Sequence, residues 1–277
     1  MKSNFKKIHF DNANKILTIH CWIPRKISAV VFYFHGIQSH AGWQKGLGQY
    51  LNSKSIALCV LDRRGSGESE GDRGDFISAD LLLHEYYKAF LIIKNEFLNA
   101  PLVMLGQSFG GSILAAFSVQ HHTLIQNQPI VFLSPSLGQR HFREKQPVFS
   151  KEGFLTLNFL DEDYTSTKKF LSFIKNDPLC IRKISKASYN AMYELEKIYI
   201  NSVGKLENNP TAMIYPIEDT IIDSSCSIKI FSKLTLDSGF VFRFPAKKHY
   251  LEFSDKHHFL FSWLENYILT DGYRKSI

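Results

Sequence analysis

Short, uninterrupted apolar runs recur along this chain with longer helical patterns between them, and that alternation limits the fold more than any other feature. Ala29-Val30-Val31-Phe32-Tyr33-Phe34 is continuous and largely β-branched or aromatic, as a strand buried on both faces must be. Ile56 to Leu61, Pro101 to Leu105, Ile130 to Leu133 and Ala212 to Tyr215 look the same. Leu82, Tyr86, Phe90, Ile93 and Phe97 fall on one face of a helix from about Asp80 to Phe97. Ser108 to Gln120 opens with small residues and reads as a buried helix. A last helix, about Asp255 to Leu269, carries Phe259, Trp263 and Tyr267 at i, i+4, i+8. Strands of this kind alternating with helices predict a mostly parallel α/β sheet. Ile16 to Trp22 alternates with period two instead. It follows a strand near Phe5–Phe10 through Asp11-Asn12-Ala13-Asn14, so the sheet is expected to begin as an antiparallel hairpin.

The pattern breaks after Leu133. Ser134-Pro135-Ser136-Leu137-Gly138 is a turn cluster, and Asn208-Asn209-Pro210 marks the return to strand. Between them the chain is helical in type, with no clear strand. The expected organisation is a core of 1–138 and 208–277 with a lid or insertion over 139–207. The insertion's ten aromatic residues, among them Phe142, Phe149, Phe154, Phe159 and Tyr164, make it no richer than the 14% of the whole chain. An acyl-chain groove there is allowed but not indicated.

A net charge of +7 is scattered in pairs such as Lys6-Lys7 and Lys247-Lys248, with no run of five. It reads as a solvated surface, with at most peripheral contact with anionic lipid and no nucleic-acid partner. Cys21, Cys59, Cys180 and Cys226 form no C-x-x-C pair and no zinc spacing, which fits a reducing compartment and no metal. No signal peptide is visible, and the longest apolar run is far below the ~20 residues of a membrane span. A cytoplasmic protein is expected.

Gly106-Gln107-Ser108-Phe109-Gly110-Gly111 follows a strand and opens a helix. This is the setting of a G-x-S-x-G nucleophile elbow, in which a serine stands clear on a tight turn above the positive end of a helix. A plain turn with a serine cap is the bland alternative. Phe34-His35-Gly36-Ile37 ends another buried strand. Gly36 lets the backbone turn, so that the Ile37 and Phe109 N–H groups could form a two-donor oxyanion hole. His35 reads as a brace for that loop, less readily as a base. Asp62-Arg63-Arg64-Gly65-Ser66-Gly67 is a stiff loop that matches no phosphate-binding motif and is expected to hold the oxyanion segment in place.

A serine nucleophile needs a base and the base an orienting carboxylate, in chain order serine, acid, histidine for this kind of elbow. Tyr215-Pro216-Ile217-Glu218-Asp219 places Asp219 just past a strand end. Asp223 reads better as the cap of the next helix, and Glu218 is a third candidate. His249 follows the strand Phe240–Phe244 and precedes the last helix.

These pieces, with the Asp62–Gly74 loop and His249-Tyr250-Leu251-Glu252, resemble the monoacylglycerol lipase and lysophospholipase group of the α/β-hydrolase superfamily, also grouped with serine aminopeptidases. The resemblance covers about 30–134 and 211–269. It implies an α/β-hydrolase fold with an eight-stranded core, a helical lid and no cofactor. It carries a triad onto Ser108, Asp219 and His249, with Ile37 and Phe109 as oxyanion donors and His35, Gly36, Gly106 and Gly110 in support. Pro216, where the group commonly has glycine, and Ile37–Trp43 depart from its usual form. The implied reaction is cleavage of a small acyl substrate, a carboxylic ester such as a monoacylglycerol or lysophospholipid. Acyl transfer, thioester or aminoacyl cleavage, and a non-catalytic binding protein are the alternatives. An aminopeptidase would need a carboxylate for a free amine, from Glu152, Asp161, Glu162, Asp163, Glu194 or Glu196.

Overall fold

The computed structural model describes residues 4–139 and 147–271; Phe142 lies outside them. Strands β1 (Asn4–Asn12) and β2 (Lys15–Ile23) form the expected hairpin. Ala13 and Asn14 close it at φ 49° and 57°, a two-residue turn whose twist matches that of the strands. β2 pairs antiparallel with β4 (Ile56–Asp62). The remaining strands are β3 (Ala29–Phe34), β5 (Leu102–Gln107), β6 (Ile130–Leu133), β9 (Thr211–Pro216) and β10 (Phe240–Phe244). With β4 they run parallel, giving the order β1-β2-β4-β3-β5-β6-β9-β10.

Every residue of β3, β4, β5 and β6 is buried, and alternate residues enter different cores. Val30, Phe32 and Phe34 face the helices α2 (Ala79–Glu96), α3 (Phe109–Gln120), α6 (Lys186–Tyr199) and α7 (Ser224–Thr235). Ala29, Val31 and Tyr33 face α1 (Lys45–Ser53) and α8 (His257–Asn266). The continuous apolar run is therefore two period-two stripes superposed. The predicted face of α2 is buried, and Tyr86 stacks on Phe34 at 4.5 Å. α8 departs from the spacing of its aromatics at one position. It buries Leu260, Phe261 and Leu264 against the sheet, with Tyr267 buried and Trp263 packed on the same core; of the three spaced aromatics only Phe259, 60% exposed, turns outward.

Residues between β6 and β9 do contain strands, against expectation. β7 (Phe154–Thr156) and β8 (Lys183–Ser185) pair antiparallel as a separate ribbon; three residues are too few for a period to show. α4 (Asp161–Tyr164) and α5 (Lys168–Asn176) lie between them. α6 packs on α2 and α3, buries Leu195 and Tyr199, and bonds Tyr199 Oη to Ser112 Oγ at 2.8 Å. The end of this segment is thus built into the helical layer over the sheet. Among the described residues, no helix is long and apolar enough to cross a membrane, and no group of three His, Cys, Asp or Glu could hold a metal ion.

Candidate active site

β5 ends at Gln107 and α3 begins at Phe109, so Ser108 alone makes the connection. Its backbone sits at φ 52°, ψ −123°, a region that costs a side-chain-bearing residue about 1–3 kcal/mol. Surrounding contacts enforce it. The Ser108 N–H donates to the Leu133 carbonyl at 3.0 Å, and its carbonyl accepts from Gly111 and Ser136 at 2.9 Å each. A Cβ on Gly110 would lie 1.9 Å from the Phe34 carbonyl oxygen, and one on Gly106 would lie 2.8 Å from the Gly110 carbonyl. Only glycine admits this crossing of β3 and the elbow. Ser108 occupies the position before the helix, yet its hydroxyl makes no capping bond. The hydroxyl is left for other use, which the bland reading of a serine cap does not provide.

The loop after β3 lies alongside. A Cβ on Gly36 would stand 3.4 Å from Ser108 Cβ. Arg63, buried beneath it, donates from Nη1 to the Gly36 carbonyl at 2.9 Å and from Nη2 to the Ile37 carbonyl. The Gly36 carbonyl and the Ile37 N–H share one trans peptide plane and point opposite ways. Tying the carbonyl down to Arg63 therefore turns the Ile37 N–H away from it. Phe109, the first residue of α3, has an N–H with no intrahelical acceptor.

His35 is a brace. It is fully buried, and Arg63 Nη1 donates to its Nδ1 at 2.8 Å. Burial first, then the Arg63 charge, push its pKa well below the usual histidine value. Asp62 ties the two loops together. Its Oδ1 accepts from Ala41 N–H at 2.7 Å, and its Oδ2 accepts from Glu68 N–H at 2.8 Å and pairs with His20 at 2.9 Å. Burial alone would raise the Asp62 carboxyl, but His20 and the backbone donors hold it at about 2.

Asp219 and His249 lie past the ends of β9 and β10, the strands beyond β5 and β6 in the sheet. They meet through Asp219 Oδ2 and His249 Nδ1 at 2.8 Å. Asp219 Oδ1 accepts from the Ile221 and Ile222 N–H groups, each at 2.9 Å. Burial by itself would raise this carboxyl; the charge and bond of His249, with the two backbone donors, bring it below the ordinary range. A carboxylate only accepts, so Nδ1 carries the proton and Nε2 of the neutral ring is a free acceptor. That Nε2 is buried and has no hydrogen-bond partner among the described residues. The other acids are elsewhere. Asp223 caps α7 by accepting from Ser225 and Cys226 N–H. Glu218 is exposed, 3.6 Å from Lys247.

The segment between β6 and β9 grips both loops, contacts with no signature in the residues themselves. Asp163 Oδ1 accepts from Thr220 Oγ1 at 2.8 Å, and the Asp163 carbonyl accepts from the His249 N–H at 3.1 Å. Tyr164 meets the His249 ring edge-on at 5.9 Å. Asp177 Oδ2 accepts from Trp43 Nε1 at 2.6 Å and pairs with His40 Nε2 at 3.0 Å. The Asp177 partners are 134 and 137 residues away in sequence. Glu252, three residues past His249, is also buried, and its Oε1 accepts from Tyr33 Oη at 2.5 Å. Burial pushes its carboxyl up to about 7.

Sheet order, strained strand-to-helix serine and a later aspartate–histidine pair define an α/β-hydrolase. The description of the serine aminopeptidase S33 family matches residues 25–255, and the chain belongs to that family. Monoglyceride lipase of Rattus norvegicus is 28% identical over 133 residues, which are 46% of this chain and 44% of that one. Monoacylglycerol lipase of Mycolicibacterium smegmatis is 28% identical over 92 residues, 33% of each chain. These matches span less than half the length of the relatives. Among solved structures, a soluble variant of monoglyceride lipase from Saccharomyces cerevisiae superposes with TM-score 0.82 at 17% identity, over 98% of this chain and 96% of that one. Paleococcus ferrophilus monoacylglycerol lipase superposes with TM-score 0.72 at 17% identity, over 92% and 98%. At such identities the likeness is one of fold.

Proposed function

We propose that this protein is a serine hydrolase that cleaves a carboxylic ester of the monoacylglycerol class. The observation that carries the proposal is that a strained, uncapped Ser108 and an Asp219–His249 couple, whose buried Nε2 has no partner among the described residues, lie at the same end of the parallel strands. In this mechanism His249 Nε2 takes the Ser108 proton as Oγ attacks the ester carbonyl. Asp219 holds the ring and stabilises its charged form. Ile37 and Phe109 N–H groups receive the oxyanion. Collapse of the tetrahedral intermediate expels the alcohol, which takes the proton from His249. Water, deprotonated by the same nitrogen, then releases the acid and restores Ser108. The segment 139–207 acts as the lid and sets chain-length preference. The lipase names of the relatives favour the glycerol ester.

Five of the six acids that could hold a free amine are engaged elsewhere, which favours an ester over an aminoacyl substrate; Glu152 is exposed. Asp161 pairs with Arg182, Glu162 with Lys175 and Glu194 with Lys197. Asp163 is held by Thr220 and Leu160 N–H, and Glu196 is buried in α6. Intact mass after fluorophosphonate treatment tests the reading. One adduct on the wild type and none on Ser108→Ala is expected, with turnover of monoacylglycerols to follow. A folded wild type that takes no adduct would refute it.

A further inference from the structure

A cavity of about 550 Å³ opens between α1, α5 and α8, and none of Ser108, Asp219, His249, Ile37 or Phe109 lines it. Its size lies within the range of small-molecule sites, roughly 300–1,000 Å³. The wall is aromatic. Phe170 stacks on Phe253 at 4.4 Å and 5°, Trp43 stacks on Phe253 at 5.4 Å, and Phe173 and Phe261 complete it. Cationic groups line it as well. Lys45 and Lys169 are exposed and form no ion pair among the described residues, and Lys169 Nζ lies 5.7 Å from the Phe170 ring. His257 donates Nδ1–H to the Ser254 carbonyl at 2.8 Å, which leaves Nε2 available.

The single acidic lining residue is Glu252, 3% exposed. Its Oε1 takes the Tyr33 hydroxyl, and its Oε2 is buried without a partner among the described residues. Because burial pushes this carboxyl up to about 7, it opposes an anion far less than an ordinary glutamate would. The cavity therefore combines a flat apolar wall with positive charge that has no ion pair among the described residues.

We propose that this cavity binds an amphipathic monocarboxylate, its acyl chain laid on the Trp43–Phe253–Phe170 wall and its carboxylate held by Lys45 and Lys169. The site stands apart from turnover and does not require the ester-hydrolase reading. It joins that reading because the acid released from an ester has this chemistry, so the cavity would sense product. Trp43 supplies a connection: it meets Tyr164 edge-on at 6.0 Å, and Tyr164 meets His249.

The test is calorimetric titration of Ser108→Ala with decanoate below its micelle concentration. A diazirine-bearing fatty acid is photo-crosslinked and mapped by peptide mass in parallel. Saturable binding, with crosslinks in the peptides that hold Trp43 and Phe170, is expected. The exposed double substitution Lys45→Glu, Lys169→Glu should weaken binding by roughly tenfold or more, and decanol should bind correspondingly weakly. Crosslinks confined to peptides around Ser108 and His249, an affinity unmoved by the charge reversal, or no saturable binding would each overturn the proposal. A protein that binds decanoate here but takes no fluorophosphonate would keep this site and lose the hydrolase.

Discussion

Replacing Glu252 by glutamine should change how stability depends on pH. Glu252 is enclosed, with Tyr33 on one oxygen and no partner among the described residues on the other. Burial lifts its carboxyl from the ordinary 4.5 to about 7. The folded chain thus holds a proton that the unfolded chain has already released, and stability falls as pH rises through this window. The contribution is fully present below 4.5 and gone above 7. At about 1.4 kcal/mol for each pH unit between the two values, the loss is about 3 kcal/mol, nearly all of it between about pH 4.5 and 7. Glutamine keeps the shape and the Tyr33 bond but cannot ionise. Urea unfolding of both proteins across pH 4 to 9 reads the difference. Glu252→Gln should gain on the wild type steadily as pH rises. Curves that stay parallel across the whole range would mean that Glu252 ionises as if exposed, and the reasoning from its burial would be wrong.

Asp219→Asn should keep the fold by circular dichroism yet lower kcat on an activated ester by roughly 10³–10⁴, since the amide favours the wrong tautomer of His249; a loss under tenfold would remove Asp219 from its role. Arg63→Lys cannot reach the Gly36 and Ile37 carbonyls together, so kcat should fall by roughly 10–100-fold with KM little changed; an equal rise in KM would point to a general loss of shape instead. Gly110→Ala drives a methyl group onto the Phe34 carbonyl and should cost about 3 kcal/mol or more in urea unfolding; a midpoint unchanged from wild type would refute the close approach.

Much of the sheet could be read from the sequence because each strand carries its own signature. β3 is an unbroken apolar run, and the Ala13-Asn14 turn announces β1 and β2. The elbow was equally legible: Gly106 and Gly110 are constrained by contacts within the elbow and at the end of β3, while Ser108 is also tied to Leu133 and Ser136. Asp219 stood out from Asp223 by position alone, the latter falling where a helix cap belongs. What stayed hidden is non-local or too short to repeat. β7 and β8 have three residues each. Asp177 looks like any surface aspartate until the fold brings Trp43 and His40 to it. In the last helix Trp263 and Tyr267 of the spaced aromatics join the core, and only Phe259 falls outside, because Leu260 and Leu264 take the position nearest the sheet. Glu252 showed no sign of burial, being charged and close to a surface helix.

The backbone of Ser108 has a consequence for this lineage over time. At φ 52° a glycine would sit at ease where serine is held under tension. On the proposed mechanism, Ser108→Gly would silence the chemistry and relax the fold in one step. If that mechanism holds, drift at this codon would run downhill toward a sturdier, inert descendant, with turnover the one reason to keep the hydroxyl.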